Sequence, residues 1–528
     1  MTQYSRAPWT VDSPSGQHAA PNEVKTTPSE LPPMMGFAPH QPPLPPLPPV
    51  AATARPAEPM APTDDSALSE GEYDVVEELR DRVSTRLTME DRNYPAAGRR
   101  ELTKKLIRDE YEQRLLHEAN HGRTAPAVST EEKIFAAVLA ELDGLGRLAP
   151  LLARKDVEDI HFEGCDPTML RLQTGQLVPG PPIAGTDEEL EQLLRSIGAR
   201  SGDGQTSREF SSAAPILNVR LKGVTELGGR LQAAMDVLPR PAGVIRVHRF
   251  SDPSLADLRE NNMIDTPMHA FLHHVILAGA SPLISGNPGT GKTTLMRALG
   301  NTIPYNNVVI CVEDERELGL HLLRWDPERK QRVRRHAVSR SFESRLPNAE
   351  GMGAFGMGDA LNEALRASPT WVLVGEVRGG YVTSLLDAAT SGIASVMCTI
   401  HSRSAEGVFK KVRINALKAK PPPDTDLIMD SLSELDLVIH IEREELEGQW
   451  YRYVSGIYEL GQSGDSNEPT LTAIFKARRK GERPVATGSG ALSDDLRDRL
   501  EATGFNAKHW LDEGRSDWRD IPRSGRAS

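Results

Sequence analysis

Gly286-Asn287-Pro288-Gly289-Thr290-Gly291-Lys292-Thr293 is the stretch on which the reading of this chain turns. Two glycines with four residues between them, followed by Lys and Ser/Thr, make a phosphate-loop pattern. The pattern alone is of moderate specificity, and its surroundings decide. Pro282-Leu283-Ile284 reads as a short buried strand running into the loop, and Lys292 to Leu299 reads as a helix leaving it. The small residues let a phosphate chain approach the backbone, where successive N–H groups and the positive helix end face the anion. Gly286, Asn287, Pro288, Gly289, Thr290, Gly291, Lys292, Thr293 and Thr294 are thus the expected nucleotide cradle. Lys292 would reach the β- and γ-phosphates, and the Thr293 hydroxyl would serve as a ligand for Mg²⁺. The alternative, a glycine-rich turn before an ordinary helix, does not account for the strand, loop, helix order.

At 528 residues the chain is too long for one core, which suggests two or three domains with tails. Apolar residues make up 38% and charged residues 26%, the balance of a globular body with unstructured sequence attached. The net charge, 62 − 74 = −12, argues against nonspecific nucleic-acid binding by the whole surface but leaves room for a local basic groove. Cys165, Cys311 and Cys398 are far apart, and the last two lie in apolar strand-like runs, so they read as thiols in a reducing compartment. No apolar run of membrane-spanning length occurs and the N-terminus lacks a signal-peptide core, so a cytoplasmic protein is expected, with any membrane contact made through partners.

In chain order, residues 1–66 are proline-rich and read as an extended, solvated tail, or alternatively as a ligand for a partner's aromatic groove. Residues 67–128 are helical, with Leu102, Leu106, Tyr111 and Leu115 on one face and Pro95 separating two helices. A third helix is expected to start at a capping box formed by Ser129 and Glu132 and to bury Ile134, Val138, Leu139 and Leu142. Within a domain at 129–252 the period changes to two between Val157 and Phe250, giving strands at Ile160–Phe162, Met169–Leu172, Ile216–Leu221, Arg230–Val237 and Val244–Arg249 and a helix through Glu188–Ile197. This small α+β domain precedes an α/β domain at 253–480, and 481–528 reads as a polar tail with a short helix carrying Leu496 and Leu500.

Within 253–480 the apolar runs Val308–Val312, Trp371–Val374 and Ala394–Ile400 alternate with helices, the signature of a parallel sheet covered on both faces. Ligands on such sheets sit at the carboxyl ends of strands. Each run ends in a polar residue suited to chemistry: Glu313-Asp314, Glu376 and His401. These tips argue for catalysis rather than mere binding.

The order of motifs resembles the secretion ATPases of type II and type IV systems, most closely the Tad/CpaF branch. It is carried by the phosphate loop, the acidic box Val312-Glu313-Asp314-Glu315-Arg316-Glu317-Leu318, Glu343 to Gly351, Ala364-Leu365-Arg366, Val374-Gly375-Glu376-Val377-Arg378-Gly379 and Cys398-Thr399-Ile400-His401. The resemblance covers about residues 130–480 and implies a RecA-like ATPase domain behind a PAS-like N-terminal domain. It further implies a homo-hexamer that binds ATP and Mg²⁺ and drives an inner-membrane platform protein. Under it Glu313 would be the general base, while Glu376 would support the metal with Thr293. Arg230, Arg246, Arg249, Arg345 and Arg378 would be candidates for phosphate contacts, and His401 a reporter of nucleotide state.

Two features depart from that pattern. Ser391-Gly392-Ile393 stands where Thr-Gly-His is usual, and His401-Ser402-Arg403-Ser404 replaces His-Ala-Asn-Ser. The basic stretch Arg329 to His336 is additional and reads as a solvated loop, with an acidic partner, nucleic acid or a neighbouring subunit as alternative uses. The competing functions are a conjugation-type ATPase moving DNA or effectors, and a nucleotide-responsive scaffold with little turnover.

Overall fold

The computed structural model describes residues 68–90, 99–121, 128–142, 145–200, 209–221, 223–249, 252–326, 328–345, 347, 352–446, 449–463, 466–479 and 481–519. The proline tract and Pro95 lie outside them. Helices α1 (Glu70–Glu90), α2 (Arg99–Asn120) and α3 (Val128–Leu142) pack around Val76, Leu79, Val83, Leu106, Ile107 and Val138. The stripe on α2 is as expected, with Leu102, Leu106 and Tyr111 buried. Helix α3 begins at Val128, one residue before the expected capping position Ser129, whose side chain lies outside the described ones.

A short helix α4 (Leu148–Ala153) leads into a six-stranded antiparallel sheet. Its strands are β1 (Val157–Glu163), β2 (Met169–Leu172), β3 (Leu177–Pro179), β4 (Ile216–Leu221), β5 (Gly229–Ala234) and β6 (Ala242–Val247), with α5 (Asp187–Arg200) between β3 and β4. Their spatial order is β3-β2-β1-β6-β5-β4. The strand expected to reach Val237 stops at Ala234, two residues before Asp236 takes a left-handed φ of 59°. Alternation puts Leu217, Val219, Leu231, Ile245 and Val247 into a core with α4 and α5. The other face is charged. Cross-strand register sets Arg220 opposite Arg230, Arg230 opposite Arg246, and Arg246 opposite Asp159, a row running across four strands.

The remaining chain forms α6 (Leu255–Glu260), α7 (Thr266–Leu277), β7 (Pro282–Gly286), α8 (Lys292–Thr302), β8 (Val308–Glu313), β9 (Arg324–Asp326), β10 (Gln331–Val333), β11 (Val338–Glu343) and α9 (Met357–Arg366). It continues through β12 (Trp371–Val374), α10 (Val382–Thr390), β13 (Ser395–His401), α11 (Gly407–Ala416), α12 (Thr425–Leu432), β14 (Leu437–Leu446), β15 (Gln449–Ser463), β16 (Ser466–Lys476), β17 (Val485–Ala486) and α13 (Asp494–Ala502). One nine-stranded sheet runs β11-β8-β12-β13-β7-β14-β15-β16-β17. From β11 to β14 every pairing is parallel, and from β14 onward every pairing is antiparallel.

The continuous apolar runs follow from burial on both faces. Ile284, Val309, Cys311, Leu373 and Met397 pack under α7 and α8, whereas Leu283, Ile310, Val312, Val372 and Cys398 pack under α9 to α12. Burial pushes the Cys398 thiol up to about 12, as for an inert core residue. Two expectations change here. The segment read as a polar tail inserts Leu496, Leu500, Phe505 and Leu511 into the α7 side of this core. The basic stretch is not a simple solvated loop either: β9 and β10 form a hairpin, and Arg335 and His336 behind it are buried. Arg335 pairs with Asp252 at 2.6 Å and donates to the carbonyls of Gly319 and Leu322.

Candidate nucleotide site

The loop between β7 and α8 is built so that only glycine fits at its entry. A Cβ on Gly286 would stand 2.5 Å from the Ile441 carbonyl oxygen of β14 and 2.8 Å from Thr290 Oγ1. Gly291 precedes α8 with φ 94°, a left-handed turn that aims the free N–H groups of the helix start into the loop. Lys292 is only 7% exposed. Its Nζ donates to the carbonyls of Gly286 at 3.2 Å and Asn287 at 3.0 Å, curling back across the mouth of the loop. Burial lowers its pKa to about 8, against the opposing pull of Glu376 and Glu317. A cation so poorly solvated is suited to an incoming polyanion, so the residues fit a triphosphate.

Two strand ends meet this lysine. His401, the last residue of β13, has Nδ1 3.0 Å from Lys292 Nζ and Nε2 3.2 Å from Glu376 Oε1. With its hydrogen on Nε2, the ring accepts from the lysine and donates to the carboxylate. Glu376, just past β12, also meets Arg378 at 2.6 Å. Burial alone would raise the Glu376 pKa, but the hydrogen bonds from His401 and Arg378 and the charge of the guanidinium outweigh it and hold the group at about 2. Lys292, His401, Glu376 and Arg378 therefore form one connected polar line.

Glu313, at the end of β8, is 2% exposed. One oxygen accepts from the backbone N–H of Glu317 and Leu318, and the other accepts from Ser341 Oγ. Burial nevertheless raises its pKa to about 7, the range in which a carboxylate can take a proton near neutrality. The acids after it alternate outward. Glu317 reaches Thr293 Oγ1 at 3.4 Å and His248 at 3.5 Å, while Glu315 meets His248 at 3.2 Å and pairs with Arg230. Thr293 and Glu317 thus stand together where a metal beside the phosphates would need oxygen ligands, a place expected for Glu376 alone with Thr293. The signal for Glu317 was available in the every-other-residue spacing of Glu313, Glu315 and Glu317.

The other expected phosphate contacts lie elsewhere. Arg246 holds Asp159 through Nε at 2.8 Å and Nη2 at 3.1 Å. Arg249 donates to the carbonyls of Leu152, Arg154 and Val157. Arg345 bridges Phe355 through its backbone, with its guanidinium beside Gly353. Ile393 precedes β13 while His401 ends it, so the substituted position lies roughly 20 Å along the strand from the loop. At that amino end is a cavity of about 930 Å³ whose lining includes Ile393, Ser395, Asp436, Glu459 and Arg499. It is remote from the phosphate loop. Two arginines that sequence reasoning did not select, Arg443 and Arg452, do approach the loop, at Gly289.

Comparison with known proteins finds several that this chain is similar to. The family described as type II/IV secretion system protein matches residues 220–441. A Mycobacterium tuberculosis protein named for conjugal transfer is 27% identical over 369 residues, covering 69% of this chain and 96% of that protein. The type IV secretion system protein PtlH of Bordetella pertussis is 30% identical over 201 residues, 36% of this chain and 53% of its own length. Among solved structures, the pilus retraction motor PilT with bound ADP aligns at 15% identity and a TM-score of 0.42, covering 69% of this chain and 90% of that one. Among the described residues no helix is long and apolar enough to cross a membrane. The chain is thus a P-loop enzyme that hydrolyses ATP, and its residues 220–441 are similar to the type II/IV secretion system proteins.

Proposed function

We propose that this ATPase is the motor of a pilus-assembly or protein-secretion machine of the Tad, type II or type IV kind. It would work in the cytoplasm as a homo-hexamer docked on an inner-membrane platform protein. The observation that carries this reading is the connection between hydrolytic site and N-terminal domain. The acidic box that begins at Glu313 also supplies Glu315 and Glu317 to Arg230 and His248, and Glu343 takes Arg220. A change at the phosphates is thereby felt across a charged inter-domain face, which is what a machine converting hydrolysis into movement requires.

In this reading Lys292 binds the phosphates, Glu313 orients and deprotonates water, and Glu376 and Arg378 hold the site's charge. Thr293, with Glu376 or Glu317, would hold Mg²⁺, which neutralises charge between the β- and γ-phosphates when bound. Glu313→Gln tests it: turnover should fall about a hundredfold with ATP binding retained, and the parent should sediment as a hexamer. Equal phosphate release from parent and variant overturns the motor.

A second reading, transport of DNA in conjugation, is favoured by the relative named for conjugal transfer, nearly all of whose length is matched. It predicts ATP-dependent binding of single-stranded DNA that is lost when the exposed Arg332 and Arg334 become Ala. Arg335 is unsuited to that test because it is buried.

A further inference from the structure

Strand β7 has a neighbour on each side. On one side β13 brings His401 to the loop, and on the other β14 runs parallel to β7 and then turns back as β15. In that ladder Arg443 stands directly opposite Arg452, so both side chains share one face of the ribbon. Like charges placed opposite each other repel. The pleat sends Glu442 and Glu444 to the other face, where Glu442 accepts from Tyr453 at 3.1 Å and Glu444 meets Arg483 at 3.9 Å. Glu445, further along the arginine face, pairs with neither arginine. Among the described residues no carboxylate forms an ion pair with Arg443 or Arg452.

What they touch is the phosphate loop. Arg452 Nε donates to the Gly289 carbonyl at 2.9 Å. Arg443 lies over the Trp450 ring at 4.3 Å, and its Nη1 is 2.9 Å from where a Cβ of Gly289 would stand. Gly289 is exposed, at the part of the loop that an entering phosphate chain must pass. Two cations forced together by strand register, without acids, and aimed at an anion cradle have an evident counter-charge.

We propose that Arg443 and Arg452 are a second phosphate-binding element, closing on the phosphate chain of ATP from the β14 side while Lys292 and His401 hold it from the β13 side. Trp450 supports Arg443: the guanidinium lies over the ring, and the ring also packs against Gly175, where a Cβ would come within 2.6 Å of it. The β2–β3 turn of the N-terminal domain therefore braces the arginine that reaches the loop. This element adds to the ATPase site and rests on that assignment.

The test uses the full chain and inorganic tripolyphosphate, which carries the phosphates without the base, displacing a fluorescent ATP analogue. Arg443→Gln and Arg452→Gln should each weaken tripolyphosphate and ATP about tenfold, the loss expected for one charge-assisted hydrogen bond. The Lys versions of both should stay within about threefold, and the dependence of affinity on salt should become shallower in the Gln variants. Melting without nucleotide separates a structural role, which would lower stability and leave the tripolyphosphate affinity of the folded fraction unchanged. Tripolyphosphate binding equal to the parent's in both single variants overturns the proposal. Loss of all binding in Lys292→Ala reports on the loop itself and keeps the two questions apart.

Discussion

Two groups of arginines stand opposite one another across paired strands, and the fold treats them in opposite ways. Arg220, Arg230 and Arg246 stand across β4, β5 and β6, and each has an acid: Glu343, Glu315 and Asp159. Arg443 and Arg452 stand across β14 and β15 with none among the described residues. The first group is already neutralised, and two of its members, Arg220 and Arg230, hold one domain against the other. The second is held in place by backbone register and an aromatic ring, leaving its charge available to a ligand. Proximity to a phosphate loop is therefore a poor guide to an arginine's role. The presence of a carboxylate partner is a better one.

Lys292 is the extreme member of the second group, and its removal should have the largest effect. Lys292→Ala should weaken ATP by about a hundredfold or more, measured by titration of a fluorescent analogue. The melting temperature without nucleotide should not fall, because a poorly solvated ammonium has been removed. A variant that binds ATP as the parent does would sever the link between missing counter-charge and ligand binding.

Arg335 belongs to the first group in its most buried form, fixed by Asp252 and two carbonyls. Arg335→Ala should lower stability by about 2–3 kcal/mol, since those acceptors lose a charged donor. Arg334→Ala, one residue away on an exposed position, should stay within about 0.5 kcal/mol. Denaturant unfolding of the two variants measures the contrast, and equal losses would show that burial does not separate them.

The charge state of Lys292 gives a third measurement. Its pKa in the folded, nucleotide-free chain is lowered from 10.5 to about 8. A lowered pKa contributes stability that is present above the unfolded value and lost as pH falls through about 8, so at pH 7 the charged lysine strains the empty site. Phosphates should restore the ordinary pKa. Near pH 8 about half the lysines are neutral, so ATP binding should take up roughly half a proton. Calorimetry in buffers of different ionisation enthalpy reads this directly, and Lys292→Arg should abolish it. Proton release on binding would contradict the assignment.

Much of this site was legible because its parts are local or sit at strand ends. The loop, the helix after it, and Glu313, Glu376 and His401 all follow from short apolar runs that stop at a polar residue. What was hidden depends on pairing between distant segments. Arg452 is 163 residues from Gly289, and only the parallel docking of β14 on β7 brings it near. The engagement of Arg246 by Asp159 likewise arises from the β1–β6 ladder. Leu496 and Leu500 sit in a short, highly charged helix whose sequence suggests solvent, and packing against α7 overrides that suggestion.

The smallest expected effect is the most discriminating. Arg230 and Glu315 are half-exposed, with side chains 48% and 26% accessible, so breaking their pair by Arg230→Ala should cost about 1 kcal/mol or less and vanish in high salt. His248, already 3.2 Å from Glu315, remains to hold that carboxylate. ATP affinity should then change by no more than about twofold, far below the tenfold expected at Arg443 or Arg452. If Arg230→Ala instead weakens ATP as strongly as they do, Arg230 must leave Glu315 for the phosphates when nucleotide binds. The two groups of arginines would then differ only in where they wait, and the acids on the first would be a latch opened by ATP rather than a permanent brace.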